Sequence, residues 1–191
     1  MTNHKALIFK IKEHISLFWS QGTITNVIVP DGPIHEVLPD FEIIQFAPNS
    51  KKEPVIYCTV GASLAEEKQH IKHEFFITAP QLSDVHVATL SMLAYFHADE
   101  RYRLDIGKVV SIGDPWLPGS SCNYLLISIP YPFGPRLEWL ETAYGCVRFL
   151  WALPITEGEA NFAKVSGVEA LEQKFDQGKI DYLDSRRVSV V

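Results

Sequence analysis

Phe41-Glu42-Ile43-Ile44-Gln45-Phe46-Ala47, then Val55-Ile56-Tyr57-Cys58-Thr59-Val60, then Glu74-Phe75-Phe76-Ile77-Thr78: the reading of these three runs decides the fold. They are rich in β-branched and aromatic residues and are separated by Pro48-Asn49-Ser50 and by a polar stretch around residues 66–69. Their composition and length predict strands, and their spacing suggests an antiparallel meander. Upstream, 24–30 is a further β-rich run closed by the turn residues Asp31-Gly32-Pro33. Before it, Leu7, Ile8, Ile11, Ile15, Phe18 and Trp19 fall on one stripe and predict an amphipathic helix over 3–20 that stops near Gly22. Downstream, Ser83 and Asp84 can cap a helix whose apolar face reads as Val85, Ala88, Met92 and Phe96, widened by Leu90 and Leu93. Short β-type runs recur at 108–112, 123–129 and 146–153, with proline-rich loops between them. Thr156 and Glu159 have capping-box spacing, Phe162 and Val165 supply apolar positions, and Gly167 can stop that helix before another over 168–177. Strands in runs, with helices at both ends and one in the middle, predict a mixed α/β (α+β) fold. The expectation is a single layered domain over 1–191, its sheet mainly antiparallel or mixed and packed by helices.

The chain has 191 residues, of which 47% are hydrophobic, 21% charged and 12% aromatic, well inside the globular range. No apolar run reaches the roughly 18 residues of a membrane span, and prolines shorten the longest, 123–135. A net charge of −6 opposes phosphate backbones, so nucleic acid is not expected as a direct partner. The acid is concentrated in the first half, which reads either as a solvated surface or as a docking face for a basic protein. Cys58, Cys122 and Cys146 are odd in number and widely spaced and read as buried free thiols. His4, Lys5, Lys10, Lys12 and Glu13 run through the first apolar segment, which offers no small-residue cleavage site and so does not resemble a secretory signal. A cytoplasmic location is the expectation.

Catalytic signatures are weak. His70-Ile71-Lys72-His73-Glu74 has a zinc-like look, but it runs into the strand Phe75-Phe76-Ile77-Thr78, where period two sends His70 and His73 to opposite faces. They read as two solvent-side histidines, and neither metal nor cofactor is expected. Cys58, Cys122 or Cys146 with His86 or His97 has the residue types for a nucleophile and base, without a local signature around any of them. Gly61-Ala62-Ser63 and Gly119-Ser120-Ser121 read as turns, and Glu157 and Glu159 as helix-start acids. Phosphate-loop and dinucleotide glycine patterns are missing. What is unusual is the density of proline and aromatic residues in Gly113-Asp114-Pro115-Trp116-Leu117-Pro118-Gly119 and in Pro130-Tyr131-Pro132-Phe133-Gly134-Pro135, followed by Leu137, Glu138 and Trp139. Aromatics on proline-stiffened loops lose little entropy on binding, so Asp114, Trp116, Tyr131, Phe133, Glu138 and Trp139 are the candidate partner-binding residues. The competing reading packs Trp116, Phe133 and Trp139 back over the sheet.

The same segments carry a family likeness. Gly113 to Ser120, Tyr131-Pro132-Phe133-Gly134-Pro135 and above all Leu153-Pro154-Ile155-Thr156-Glu157-Gly158-Glu159 together resemble the suppressor of fused domain. Gly167-Val168-Glu169-Ala170-Leu171-Glu172 and Asp184-Ser185-Arg186-Arg187-Val188-Ser189-Val190 resemble the way bacterial members close, and the likeness covers 39–191. The resemblance implies a mixed α/β domain without known catalytic activity. Bacterial single-domain members are associated with polymorphic toxin systems, which implies an immunity protein that binds a cognate toxin, expected to be basic if it is a nuclease. A general interaction adaptor and a cysteine-dependent hydrolase using Cys58 or Cys122 are the alternatives.

Overall fold

The computed structural model describes residues 3–50, 53–66 and 69–191. Glu67 and Lys68, inside the expected polar stretch, lie outside the described residues. The chain forms two compact units, Met1–Leu104 with Ile129–Trp151, and Asp105–Ser128 with Ala152–Val191.

The first unit begins with α1 (Asn3–Phe18), β1 (Thr23–Val27), the short α2 (Pro33–Val37), β2 (Glu42–Ala47) and β3 (Val55–Val60). A 3-10 turn (Ala62–Glu66), β4 (Ile71–Ala79), α3 (Asp84–Ala98) and a second 3-10 turn (Glu100–Tyr102) follow. The second unit supplies β5 (Val109–Ser111) and β6 (Cys122–Ser128), and the chain then returns to the first for α4 (Pro135–Glu138) and β7 (Trp139–Thr142). β8 (Gly145–Thr156) runs through both units, 145–151 in the first and 152–156 in the second, before α5 (Glu157–Ser166) and α6 (Val168–Gly178).

The meander is there as read. β1 to β4 pair in sequence, each antiparallel to the next, with registers such as Ile44↔Cys58 and Cys58↔Phe76. β8 then lies parallel to β4, Ile71↔Cys146 through Phe76↔Trp151, and β7 folds antiparallel onto β8 with Trp139 opposite Arg148. In the second unit the strand order is β8-β6-β5, with β5 antiparallel to β6. This is the expected mixed α/β class.

The middle strands read as near-continuous apolar runs because helices cover both of their faces. Every residue of β3 is buried. Alternation sends Phe46, Phe76 and Phe149 toward α1, where Trp19 lies 5.1 Å from Phe46 and 5.7 Å from Phe76, and His14 5.0 Å from Phe149. It sends Tyr57 and Phe75 toward α3, where they meet His86 and His97, each at 5.0 Å. Gly22, which ends the α1 connection, is at φ +118°, and a Cβ there would stand 2.3 Å from the Ala47 carbonyl oxygen.

Two helix faces differ from the sequence reading. Ser83 caps α3 as expected, its hydroxyl accepting from the Val85 amide. The buried side, however, is His86, Val87, Leu90, Leu93, Ala94 and His97, while Val85, Ala88 and Phe96 face outward. α3 is apolar on both sides, so its periodicity does not select a face; contact with β3 and β4 does. In α5 the core positions are Ala160 and Ala163, and Val165 is exposed.

A buried carboxylate organises each unit. In the first, Glu74 is inaccessible to solvent and accepts from the Thr59 and Ser63 hydroxyls and from the amides of Gly61, Ala62 and Ser63. In the second, the Glu159 carboxylate accepts from the Thr156 amide at 2.9 Å, from Arg187 Nη2 at 2.7 Å and from the Val190 amide at 3.2 Å. The capping box read from the sequence is thus also the anchor of the C-terminal segment. Glu74→Ala leaves five donors without an acceptor. It is expected to cost at least about 3 kcal/mol of unfolding free energy, read from the urea midpoint at unchanged slope; a loss below about 1 kcal/mol would contradict this role.

Candidate functional site

The six candidate partner-binding residues divide between the units. In the second, Asp114 is exposed on its loop, but Trp116 is only 1% exposed. Its amide donates to the Cys122 carbonyl at 2.8 Å, which draws the loop inward and makes Trp116 a core side chain. In the first unit, Tyr131 is 60% exposed and Phe133 is half-buried, edge-on to Phe18, Trp19 and Phe76 at centroid distances of 6.1, 5.8 and 5.7 Å. Glu138 and Trp139 are brought together by one cation. Arg148 donates to the buried Glu138 carboxylate at 2.8 and 2.6 Å, and its guanidinium lies 4.5 Å from the half-buried Trp139 ring. Ring and charge are pre-set in one geometry.

Trp139 lies on β7, a strand the sequence reading left as a proline-rich loop. Among the described residues β7 pairs with β8 alone, and beside it opens a cavity of about 640 Å³ lined by His70, Ile71, Trp139, Glu141 and Cys146, among others. A second surface was missed because Phe96 read as core and Tyr95, Tyr102 and Val37 received no role. Tyr95, Phe96 and Tyr102 are 43%, 37% and 58% exposed and, with Val37, line a cavity of about 340 Å³. Clustered exposed aromatics of this kind mark interaction surfaces. A signal for them was present: Tyr95 and Phe96 beside Val87, Leu90 and Leu93 give α3 more apolar surface than one buried face takes.

None of the three thiols is shifted toward its reactive, ionised form. Burial, then the Glu74 charge, pushes Cys58 well above its ordinary value; burial also raises Cys122. Cys146, half-buried rather than buried as read, is raised by burial and by Glu141. His86 is held down to about 4 by burial against the sheet. Cys58, Cys122, Cys146 and His86 are therefore kept in their neutral forms.

The reading of His73 needs correction. His70 is exposed and precedes β4, as a solvent-side residue should, but His73 is buried. Period two places it with Phe75 on the face that α3 covers. There its amide donates to Glu66 Oε2 at 2.6 Å, and its Nδ1 lies 3.0 Å from Glu66 Oε1. His97 Nε2 lies 3.0 Å from Glu66 Oε2. Burial pushes the Glu66 carboxyl up, but hydrogen bonding to His73 and His97 and their charges outweigh it and hold it at about 2. Residues so far apart in sequence gave no motif to read.

Comparison with known proteins adds to this geometry. A family model described as Suppressor of fused protein (SUFU) matches residues 38–188. A putative SUFU homolog from Neisseria gonorrhoeae FA 1090 is similar in structure, with a TM-score of 0.87 and 38% identity over 98% of both chains. Drosophila Suppressor of Fused shares the fold at a TM-score of 0.67 and 14% identity, covering 94% of this chain and 50% of that one. Immunity protein YqcF of Bacillus subtilis (strain 168) is 27% identical over 125 residues, 63% of this chain and 64% of YqcF. The match thus spans less than two thirds of that relative's length. Among the described residues no helix is long and apolar enough to cross a membrane.

The Glu66 carboxyl carries a pH signature. Its folded value of about 2 lies below the ordinary 4.5, so its contribution is complete above pH 4.5 and is lost as pH falls toward 2. Glu66→Gln is expected to destabilise by roughly 3 kcal/mol at pH 7, with the gap from the parent closing over that acid range. A gap independent of pH, in urea titrations from pH 7 to 2.5, would contradict it.

Proposed function

This chain belongs to the suppressor of fused family, and we propose that it is a non-catalytic immunity protein that neutralises a cognate bacterial toxin by stoichiometric binding. The likeness to the immunity protein YqcF carries the reading. In this proposal residues 1–191 act as one cytoplasmic binding module, and occlusion of the toxin's working surface is the whole mechanism. Fixed thiols and pre-set aromatics suit such a role better than chemistry does.

The proposed contact residues of the first unit are Tyr131, Phe133 and Trp139, with the buried Glu138 holding Arg148 beside the Trp139 ring and Tyr95, Phe96 and Tyr102 as additional anchors; in the second unit Asp114 is proposed, with Trp116 supporting its loop from within. Trp139 and Tyr131 supply area at low entropic cost, as anchoring residues do. With a net charge of −6, the chain would complement and steer a basic toxin domain. Co-expression tests the reading. A toxin encoded beside this chain should arrest growth alone and not together with it, and a 1:1 complex should be isolable; equal killing with no complex would end the proposal.

Two kinetic outcomes follow. Raising ionic strength from about 0.01 to 0.15 M shortens the screening length from about 30 to 8 Å and should slow association far more than dissociation. Trp139→Ala, folded by circular dichroism, should instead speed dissociation by at least about tenfold with association nearly unchanged. A folded variant that dissociates at the parent rate removes Trp139 from the interface.

A further inference from the structure

We propose that Glu66, His73 and His97 form a binding site for one divalent transition-metal ion, with zinc the cation that suits its donors best. One carboxylate and two imidazoles are the borderline donor set that zinc takes readily. The three residues come from the end of the first 3-10 turn, from β4 and from α3, all are buried, and their ligand atoms lie within 4.8 Å of one another. Four-coordinate zinc holds nitrogen and oxygen ligands at about 2.0–2.1 Å, which places neighbouring donors about 3.3 Å apart. Here each histidine nitrogen stands 3.0 Å from one oxygen of the Glu66 carboxylate, and all three ligand atoms lie within 4.8 Å of one another, so small side-chain shifts would bring them to that spacing.

The direction of His97 is the second observation. Its Nε2 is fully buried, lies 3.0 Å from the Glu66 carboxylate and has no other hydrogen-bond partner. An imidazole nitrogen and a carboxylate oxygen that converge in this way are placed as two ligands of a common ion would be. The Leu104 amide approaches His97 Nδ1 at 3.2 Å, which in the free protein leaves the imidazole hydrogen on Nε2. Binding moves that hydrogen to Nδ1 and gives up the Leu104 bond together with the direct contacts of both imidazoles to Glu66, which three coordination bonds replace.

The ligands are also held before any ion arrives. Lys72 Nζ donates to the Glu66 carbonyl at 2.6 Å, the His73 amide to its carboxylate, and Glu74 grips the amides at the start of the same 3-10 turn. The His73 side chain keeps 11% exposure, and a water molecule would complete the four ligands. An ion here would pin α3, whose outer side carries Tyr95 and Phe96, to the sheet.

The site does not depend on the immunity reading, and its test needs no toxin. Full-length protein stripped with chelator is titrated with zinc chloride by calorimetry, and thermal unfolding is followed with and without the ion. One equivalent should bind and raise Tm by several degrees. His73→Gln and His97→Gln should each lose the binding, while the neighbouring surface change His70→Ala should keep it. Because the core variants can fail to fold, cobalt(II) added to the parent protein gives an independent readout: a tetrahedral visible spectrum that zinc abolishes. No saturable zinc binding by the parent, no cobalt spectrum, or unchanged zinc binding by a folded His97→Gln would overturn the proposal.

Discussion

A carboxylate cut off from solvent is the constraint on which the first unit depends. Glu74 sits mid-strand in β4 with five donors aimed at it, and the Thr59 hydroxyl that donates to it also accepts from the Phe75 amide at 2.8 Å. Burial pushes the carboxyl up while these bonds pull against it. Losing any one partner leaves another buried group unsatisfied, so the end of β3, the 3-10 turn and β4 are fixed as a set. What the turn presents next, the Glu66 carboxylate, inherits that rigidity.

The second unit repeats the device with different chemistry. Glu159 is at once an N-cap partner for Thr156 and the ion-pair partner of Arg187, and the Ser121 amide and hydroxyl bind the Ser185 and Arg187 carbonyls. These contacts join Leu153 to Glu159, the loop ending at Ser120 and the segment from Asp184 to Val190, three of the stretches that carry the family likeness. Those motifs therefore encode how the unit is closed. They identify the family without marking the surface that a partner meets.

This division explains what the sequence could tell. The meander, the α1 stripe, the Ser83 cap and the Thr156 capping box were legible because each is a local pattern of spacing and composition. The face of α3 was not, since Val85, Met92 and Phe96 make as good a stripe as Val87, Leu90 and Leu93, and only packing chooses between them. β7 was hidden by the prolines before it. Trp116 looked like an anchor until the loop's bond to Cys122 turned it inward, and His73 looked exposed until its strand was placed under α3. The exposed pair Tyr95 and Tyr102 and the buried trio Glu66, His73 and His97 exist only once the chain is folded.

The central claim is that rigid, glutamate-braced units offer pre-set aromatics to a protein partner. Hydrogen–deuterium exchange of this chain, alone and with the toxin encoded beside it, tests this most directly. The account predicts slower exchange at residues 95–102 and 131–142 on complex formation, with β3 equally protected in both states. Protection confined to other segments, or no segment slowed at saturating toxin, would contradict it.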